Sequence, residues 1–204
     1  MAADVQPSQT APMRLLAQRR NVLLVALIPA ALAACEGSQP VRGAMQVQYA
    51  RVGDKDKPNS ALGVSLHKLG SDENKVGWFV DARFANEGSA DGVEYASAPI
   101  NASAHPITDI ATFAASAHVG PTFRATDGLW FHAGLGLGYM QSATERFDGS
   151  FTLSPNGYYH YADDPTMQGS ATAGAMWMPV DGMVIGVGYD LFFEGAVFGI
   201  GFTF

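Results

Sequence analysis

Gly195-Ala196-Val197-Phe198-Gly199-Ile200-Gly201-Phe202-Thr203-Phe204 closes the sequence. Counting back from Phe204, every second residue is apolar and mostly large: Phe204, Phe202, Ile200, Phe198 and Ala196. A period of two is that of a β-strand, and it gathers the large groups on one face. The opposite face, Thr203, Gly201, Gly199 and Val197, carries little side chain. A soluble protein rarely exposes such a strand at its edge, because unpaired edges aggregate. The stretch therefore reads as the closing strand of a barrel set in a membrane.

Seven upstream segments repeat the alternation. They cover residues 45–50, 62–67, 76–85, 111–124, 129–140, 170–177 and 183–191. The fifth is the clearest, with Leu129, Phe131, Ala133, Leu135, Leu137 and Tyr139 set against Trp130, His132, Gly134, Gly136, Gly138 and Met140. Eight is an even number, and runs of about 9–11 residues suit tilted strands crossing a bilayer. Connections alternate as well. Residues 70–74, 126–128 and 179–182 form short turns, whereas 86–108 and 143–166 are long and read as loops. Short turns on the periplasmic side and long loops outside are the pattern of outer-membrane barrels. A soluble barrel would put its large apolar set inside; here the second face holds Gly, Ser, Thr, Gln, His, Asp and Arg. The expected fold is all-β: an eight-stranded antiparallel up-and-down transmembrane β-barrel over residues 43–204.

Composition agrees. Charged residues make up 15% of the chain and hydrophobic residues 48%, with 23 glycines, which is poor in charge for a soluble domain. From Cys35 onward, nine lysines and arginines face eighteen aspartates and glutamates, a net of −9. That balance excludes a general nucleic-acid binder. The single cysteine rules out an internal disulfide and a CxxC zinc site. No cofactor and no metal site is expected.

Residues 1–34 read as a signal peptide, with Met13 a second candidate start. Arg14, Arg19 and Arg20 precede an uncharged apolar run, 21–34, too short to span a bilayer as a helix. Leu32-Ala33-Ala34-Cys35 resembles the bacterial lipobox. That resemblance implies acylation of Cys35, with 35–42 as a polar linker. The alternative is ordinary cleavage at Ala31-Leu32-Ala33.

The chain from about residue 43 resembles the small eight-stranded outer-membrane barrels of Gram-negative bacteria, the opacity-protein and OmpA-barrel type. The marks are terminal Phe204 with Phe202 and Ile200, and the run Gly134-Leu135-Gly136-Leu137-Gly138-Tyr139. The resemblance implies a location in the cell outer membrane, with its lipids as surroundings. It also implies that Phe198, Ile200, Phe202 and Phe204 form the signal read by the barrel-insertion machinery.

Two faces remain to be assigned. The outward aromatics Tyr49, Trp78, Tyr139, Trp177, Tyr189 and Phe204 fall near strand ends or mid-strand, and those near the ends suit interfacial belts. Inward lie Gln46, Gln48, His67, Asp81, Arg83, His118, Arg124, Trp130, His132 and Asp190. An eight-stranded barrel is just filled by its own side chains, so its charges must pair. Arg83 with Asp81 or Asp190 is the expected pairing, and a plug the expected result. The alternative is a narrow pore, with the glycines at 134, 136, 138, 186, 188, 199 and 201 clearing a lumen. Catalysis on outer-membrane lipid is a third reading, with His160, Ser154 and Asp163 sharing one loop; Asp148, Asp163 and Asp164 are a weaker candidate for a cation. The leading reading is a scaffold that meets an extracellular ligand or surface through loops 86–108 and 143–166. Those loops carry Tyr95, Phe147, Phe151, Tyr158, Tyr159 and Tyr161, and exposed aromatics favour contact.

Overall fold

The computed structural model describes residues 42–53, 57–70 and 74–204. The expected leader, Cys35 and nearly all of the linker lie outside the described residues. Ten strands follow in order: β1 (Gly43–Arg51), β2 (Ser60–Lys68), β3 (Val76–Glu87), β4 (Val93–Tyr95), β5 (Ile107–Thr126), β6 (Leu129–Phe147), β7 (Tyr158–Ala162), β8 (Thr166–Val180), β9 (Met183–Asp190) and β10 (Gly195–Thr203). Eight of them close an antiparallel barrel, β1-β2-β3-β5-β6-β8-β9-β10, sealed where β10 pairs with β1. In that seam Met45 faces Phe202, Val47 faces Ile200 and Tyr49 faces Phe198. Closure gives the terminal strand partners on both edges, so its backbone polar groups are paired, as hydrocarbon demands.

Alternation sorts the side chains as the sequence predicts. On β1, Val47 is 54% exposed while Gln46 beside it is 1% exposed. Leu135, Val187, Phe198 and Ile200 likewise face outward, and His132 and Asp190 inward. An exposed apolar wall around a polar interior is the inverse of a soluble barrel, and it marks the outside as the lipid face. No helix among the described residues is long and apolar enough to cross a membrane. Two of the short turns are Asp127-Gly128 and Asp181-Gly182. Gly128 has φ +83° and Gly182 φ +87°, a conformation that a side chain would strain.

The loop end differs from expectation. β5, β6 and β8 run for 20, 19 and 15 residues, not 9–11. At about 3.3 Å per residue, 20 residues span ~66 Å, far more than the ~25 Å apolar band. The long loops are therefore partly strand. β5 already pairs with β6 at Ile107–Arg146, β6 continues to Phe147, and β7 pairs with it from Ala143–Ala162 to Phe147–Tyr158. β4 adds in parallel to β7. The sheet continues above the barrel because the ladder does not stop where the lipid does. Polar side chains become common there, which the sequence shows as loop-like composition.

Two apolar clusters cap the interior. At the loop end lie Ala50, Ala61, Ala85, Ala114, Val197 and the aromatic pair Phe192–Phe193. At the turn end lie Ala44, Leu69, Trp130, Met176 and Val184.

Candidate functional site

Between the two caps sits a polar layer built by inward positions of seven strands. Asp81 and Arg83, two apart on β3, share a face. Arg83 Nη2 donates to Asp81 Oδ2 at 2.8 Å, and Nη1 donates to Asp190 Oδ2 at 2.6 Å. Arg83 and both carboxylates are almost completely buried. Arg83 thus takes both of its candidate partners. Asp81 Oδ1 accepts from His118 Nδ1 at 2.8 Å, and His118 Nε2 lies 2.7 Å from Ser170 Oγ. Ser116 Oγ donates to Asp190 Oδ2 at 3.1 Å. Below, Gln48 Nε2 donates to Ser65 Oγ at 3.1 Å, and His67 Nε2 is 2.9 Å from the same hydroxyl. His67 stacks on Phe79, and His132 meets that ring edge-on. Arg124 does not join this layer. It stands six residues along β5 from His118, about 20 Å by strand rise, at the turn end, where it pairs with exposed Asp127 at 2.5 Å. An arginine so near a turn reaches the rim sooner than the lumen.

Asp190 does a second thing. Its Oδ1 accepts the backbone N–H groups of Phe192 (2.8 Å) and Phe193 (3.2 Å). The β9–β10 turn is thereby folded into the barrel mouth, with both rings buried. Lys57 stands 4.9 Å over the Phe192 ring and donates to the Phe192 carbonyl. These two aromatics are a stopper latched to the ion cluster. The alternation ends at Leu191 and resumes at Gly195, so the sequence pattern assigns them no role.

The glycines are where the bulky neighbours fit. A Cβ on Gly138 would overlap the Phe192 ring, one on Gly134 would stand 2.6 Å from Phe79 Cζ, and one on Gly136 would stand 2.7 Å from His118 Cδ2. Cβ atoms on Gly186 and Gly199 would crowd the Gln46 amide. An interior concavity lined by Gln46, Gln48, Arg83 and His132 holds about 10 Å³. A larger one, about 600 Å³, is a shallow groove on the lipid face, between Phe131 and Phe198 over Ala173 and Ala175.

Ser170, His118 and Asp81 have the connectivity of nucleophile, base and orienting acid. The sequence pattern does not single out Ser170; its one signal is its inward place on β8. The serine is enclosed by the wall, and Ser170 is registered against Gly136 in the ladder. Backbone N–H groups that would hold an oxyanion are therefore used in the sheet. The trio cross-links strands. His160, Ser154 and Asp163 do not meet: His160 Nδ1 is 3.0 Å from the Asp91 carbonyl, Ser154 donates to Asn156, and Asp163 accepts from Thr144.

Above the barrel the two long loops are one body. Glu145 accepts from the Asp91 N–H and from Thr108 Oγ1, both at 2.6 Å. Arg146 Nη1 donates to the His105 carbonyl at 2.5 Å and Nε to Tyr161 Oη at 3.1 Å. Tyr159 is fully buried and meets His105 Nδ1 at 2.9 Å; burial pushes its phenol up. Asp148 folds the tip. It accepts from Ser150 Oγ, from the Ser150, Thr152 and Leu153 N–H groups, and from Thr152 Oγ1. Those bonds, Ser150 Oγ first, hold its carboxyl well below the usual carboxylate range. Asp148 is thus engaged with its own turn, and no group of three or more metal-ligating side chains occurs among the described residues. The loop aromatics divide. Tyr95 and Tyr159 pack inside against each other, whereas Phe151 and Tyr158 flank Phe147 on the outside. Phe151, 56% exposed, has a φ of +56°, a strained setting for a phenylalanine.

No protein-family model matches the sequence, and no curated protein matches it. The fold is matched by solved structures. The crystal structure of Ail, the attachment invasion locus protein of Yersinia pestis, aligns with a TM-score of 0.57 at 14% identity, over 81% of this chain and all of that one. Ail in complex with the heparin analogue sucrose octasulfate aligns at 0.52 and 16% identity, with the same coverage. Fold and inverted polarity together are those of an outer-membrane β-barrel.

Proposed function

We propose that this chain is a non-conducting outer-membrane scaffold that presents its loop-end sheet to partners outside the cell. The observation that carries the reading is the coupling of a capped lumen to an ordered outer body. Asp190 joins the stopper to the ion cluster, while Glu145 and Arg146 tie loops 86–108 and 143–166 together. A surface already held in one shape loses little entropy on binding. Phe147, Phe151 and Tyr158 supply the aromatic contact group, and the attachment role in the name of Ail is in line with this.

The chemistry of the partner differs from the polyanion held by Ail. From Glu87 to Asp109 this chain carries four carboxylates and no lysine or arginine, and from Glu145 to Asp164 it has four against Arg146 alone. Like charge repels a sulfated glycan. A protein surface with apolar and basic groups suits it instead. The residues before the barrel act, on this reading, as an export leader with an acylated Cys35.

Two measurements test the proposal. In planar bilayers the full chain passes no steady current; steady conductance would sink the capped-lumen reading. In nanodiscs, cell attachment falls several-fold for a Phe151→Ala/Tyr158→Ala variant and is not competed by heparin. Attachment unchanged by that variant, or abolished by heparin, refutes the loop reading.

A further inference from the structure

Six buried side-chain nitrogen and oxygen atoms find no hydrogen-bond partner among the described residues: Gln46 Nε2, Gln48 Oε1, His67 Nδ1, Arg83 Nε, Trp130 Nε1 and His132 Nδ1. Four of these belong to residues that line one interior cavity, Gln46, Gln48, Arg83 and His132. Each of the four residues is more than nine-tenths buried. A buried polar group left unpaired is costly, and four such groups on residues that line one space point to something that pairs them all.

The space is small. Its volume, about 10 Å³, is room for one water molecule. The orientations of the four groups are set by their other bonds. Both Arg83 terminal nitrogens are taken by Asp190 and Asp81, which leaves Nε–H as the remaining donor. Gln48 turns its nitrogen to Ser65, so its oxygen is the free end. Gln46 offers N–H. His132 Nδ1 accepts when the ring proton is on Nε2. Two donors and two acceptors match the two acceptor and two donor directions of water. A sodium ion would face the two N–H donors, and a chloride would face the Gln48 oxygen; neither satisfies all four.

We infer that one ordered water is a structural part of this barrel, bound by Arg83 Nε, Gln46 Nε2, Gln48 Oε1 and His132 Nδ1. It links the ion cluster of β3 to the amides of β1 and to β6 across the lumen. Through Gln48 and Ser65 it connects on to His67, so the polar layer becomes one hydrogen-bonded column between the two apolar caps. The glycine wall of β9 and β10 has a purpose here. With no Cβ at 186 and 199, the Gln46 amide can lie flat against it and the water can stand beside.

The test is a crystal structure of the full chain at a resolution that shows ordered waters, grown with bromide replacing chloride. The expected result is one water-sized peak within hydrogen-bond distance of all four atoms, with no anomalous signal. A bromide signal at the site makes the ligand an anion and overturns the inference. So does an ordered interior with no peak, or a peak that leaves Arg83 Nε or Gln48 Oε1 unpaired. In nanodiscs, the Arg83 Nε–H resonance should show a cross-peak to long-lived water. Its absence overturns the inference. Gly199→Ala places a methyl group against the Gln46 amide and should abolish the cross-peak while the barrel remains folded; survival of the peak in that variant would put the water elsewhere and overturn the assigned site.

Discussion

Arg83→Met is the most informative perturbation of the interior. Arg83 bonds Asp81 and Asp190 at 2.8 and 2.6 Å, with all three side chains at or below 1% exposure. Methionine keeps much of the volume and removes the charge, leaving Asp190 with no cation. Breaking a buried pair by removing one partner costs about 3–5 kcal/mol, mostly from the stranded charge. At ~1.4 kcal/mol per tenfold, the folding equilibrium should drop by roughly 10²- to 10³-fold or more. Adding Asp190→Asn removes the stranded charge while keeping an oxygen for the Phe192 and Phe193 N–H groups. The double variant should therefore be more stable than Arg83→Met alone. The assay is reversible urea unfolding in lipid vesicles, followed by tryptophan fluorescence and by the mobility shift of folded barrels on gels. If Arg83→Met loses less than about 0.5 kcal/mol, or if the two substitutions simply add, they are not coupled and the pairing argument fails.

Gly138→Ala puts a methyl group into the Phe192 ring, so it should displace the stopper; faster chymotrypsin cleavage after Phe192 or Phe193 on intact vesicles would show it, and an unchanged rate would contradict the packing. Asp148, depressed in the folded chain, contributes stability that is present above the ordinary aspartate value near 3.9 and lost as pH falls through the folded value. Amide exchange at Thr152 and Leu153 should accordingly quicken under strong acid, and Asp148→Asn should already show the quickened rate near neutral pH. Removing Phe204, which is 70% exposed on the outer wall, should slow assembly into the outer membrane if the terminal strand is the insertion signal; normal assembly kinetics would remove that role. Cys35→Ala should abolish palmitate labelling of the exported protein, and labelling that persists would place the acyl group elsewhere.

Much of this barrel could be read before any coordinates. The alternation of Val47 and Tyr49 with Gln46 and Gln48 is a local property, since the pleat sends neighbours to opposite sides whatever the partner strand is. Lipid then requires the outer set to be apolar, so the face of His67, Asp81, Arg83, His118, His132 and Asp190 follows without knowing the pairing. Connection lengths gave the up-and-down order for the same reason: a two-residue turn leaves no other neighbour within reach. The reading failed where periodicity ends. β5, β6 and β8 pass beyond the lipid with polar residues on both faces, so Thr108–Ile110 and Ser142–Phe147 lose the alternation although the ladder continues.

The sequence by itself thus determined that there are eight spanning strands, which side chains point inward and which end bears the loops. Tertiary structure decided that Arg83 takes both of its candidate partners and not one. Asp81 lies two residues from Arg83, but Asp190 lies 107 away, and their meeting depends on the stagger of the closed barrel, which no single strand encodes. The same holds for Phe192, whose ring fills the space left by Gly138 on another strand, and for the glycines generally. A missing side chain is visible in a sequence; the neighbour that occupies its place is set only when the wall curves shut.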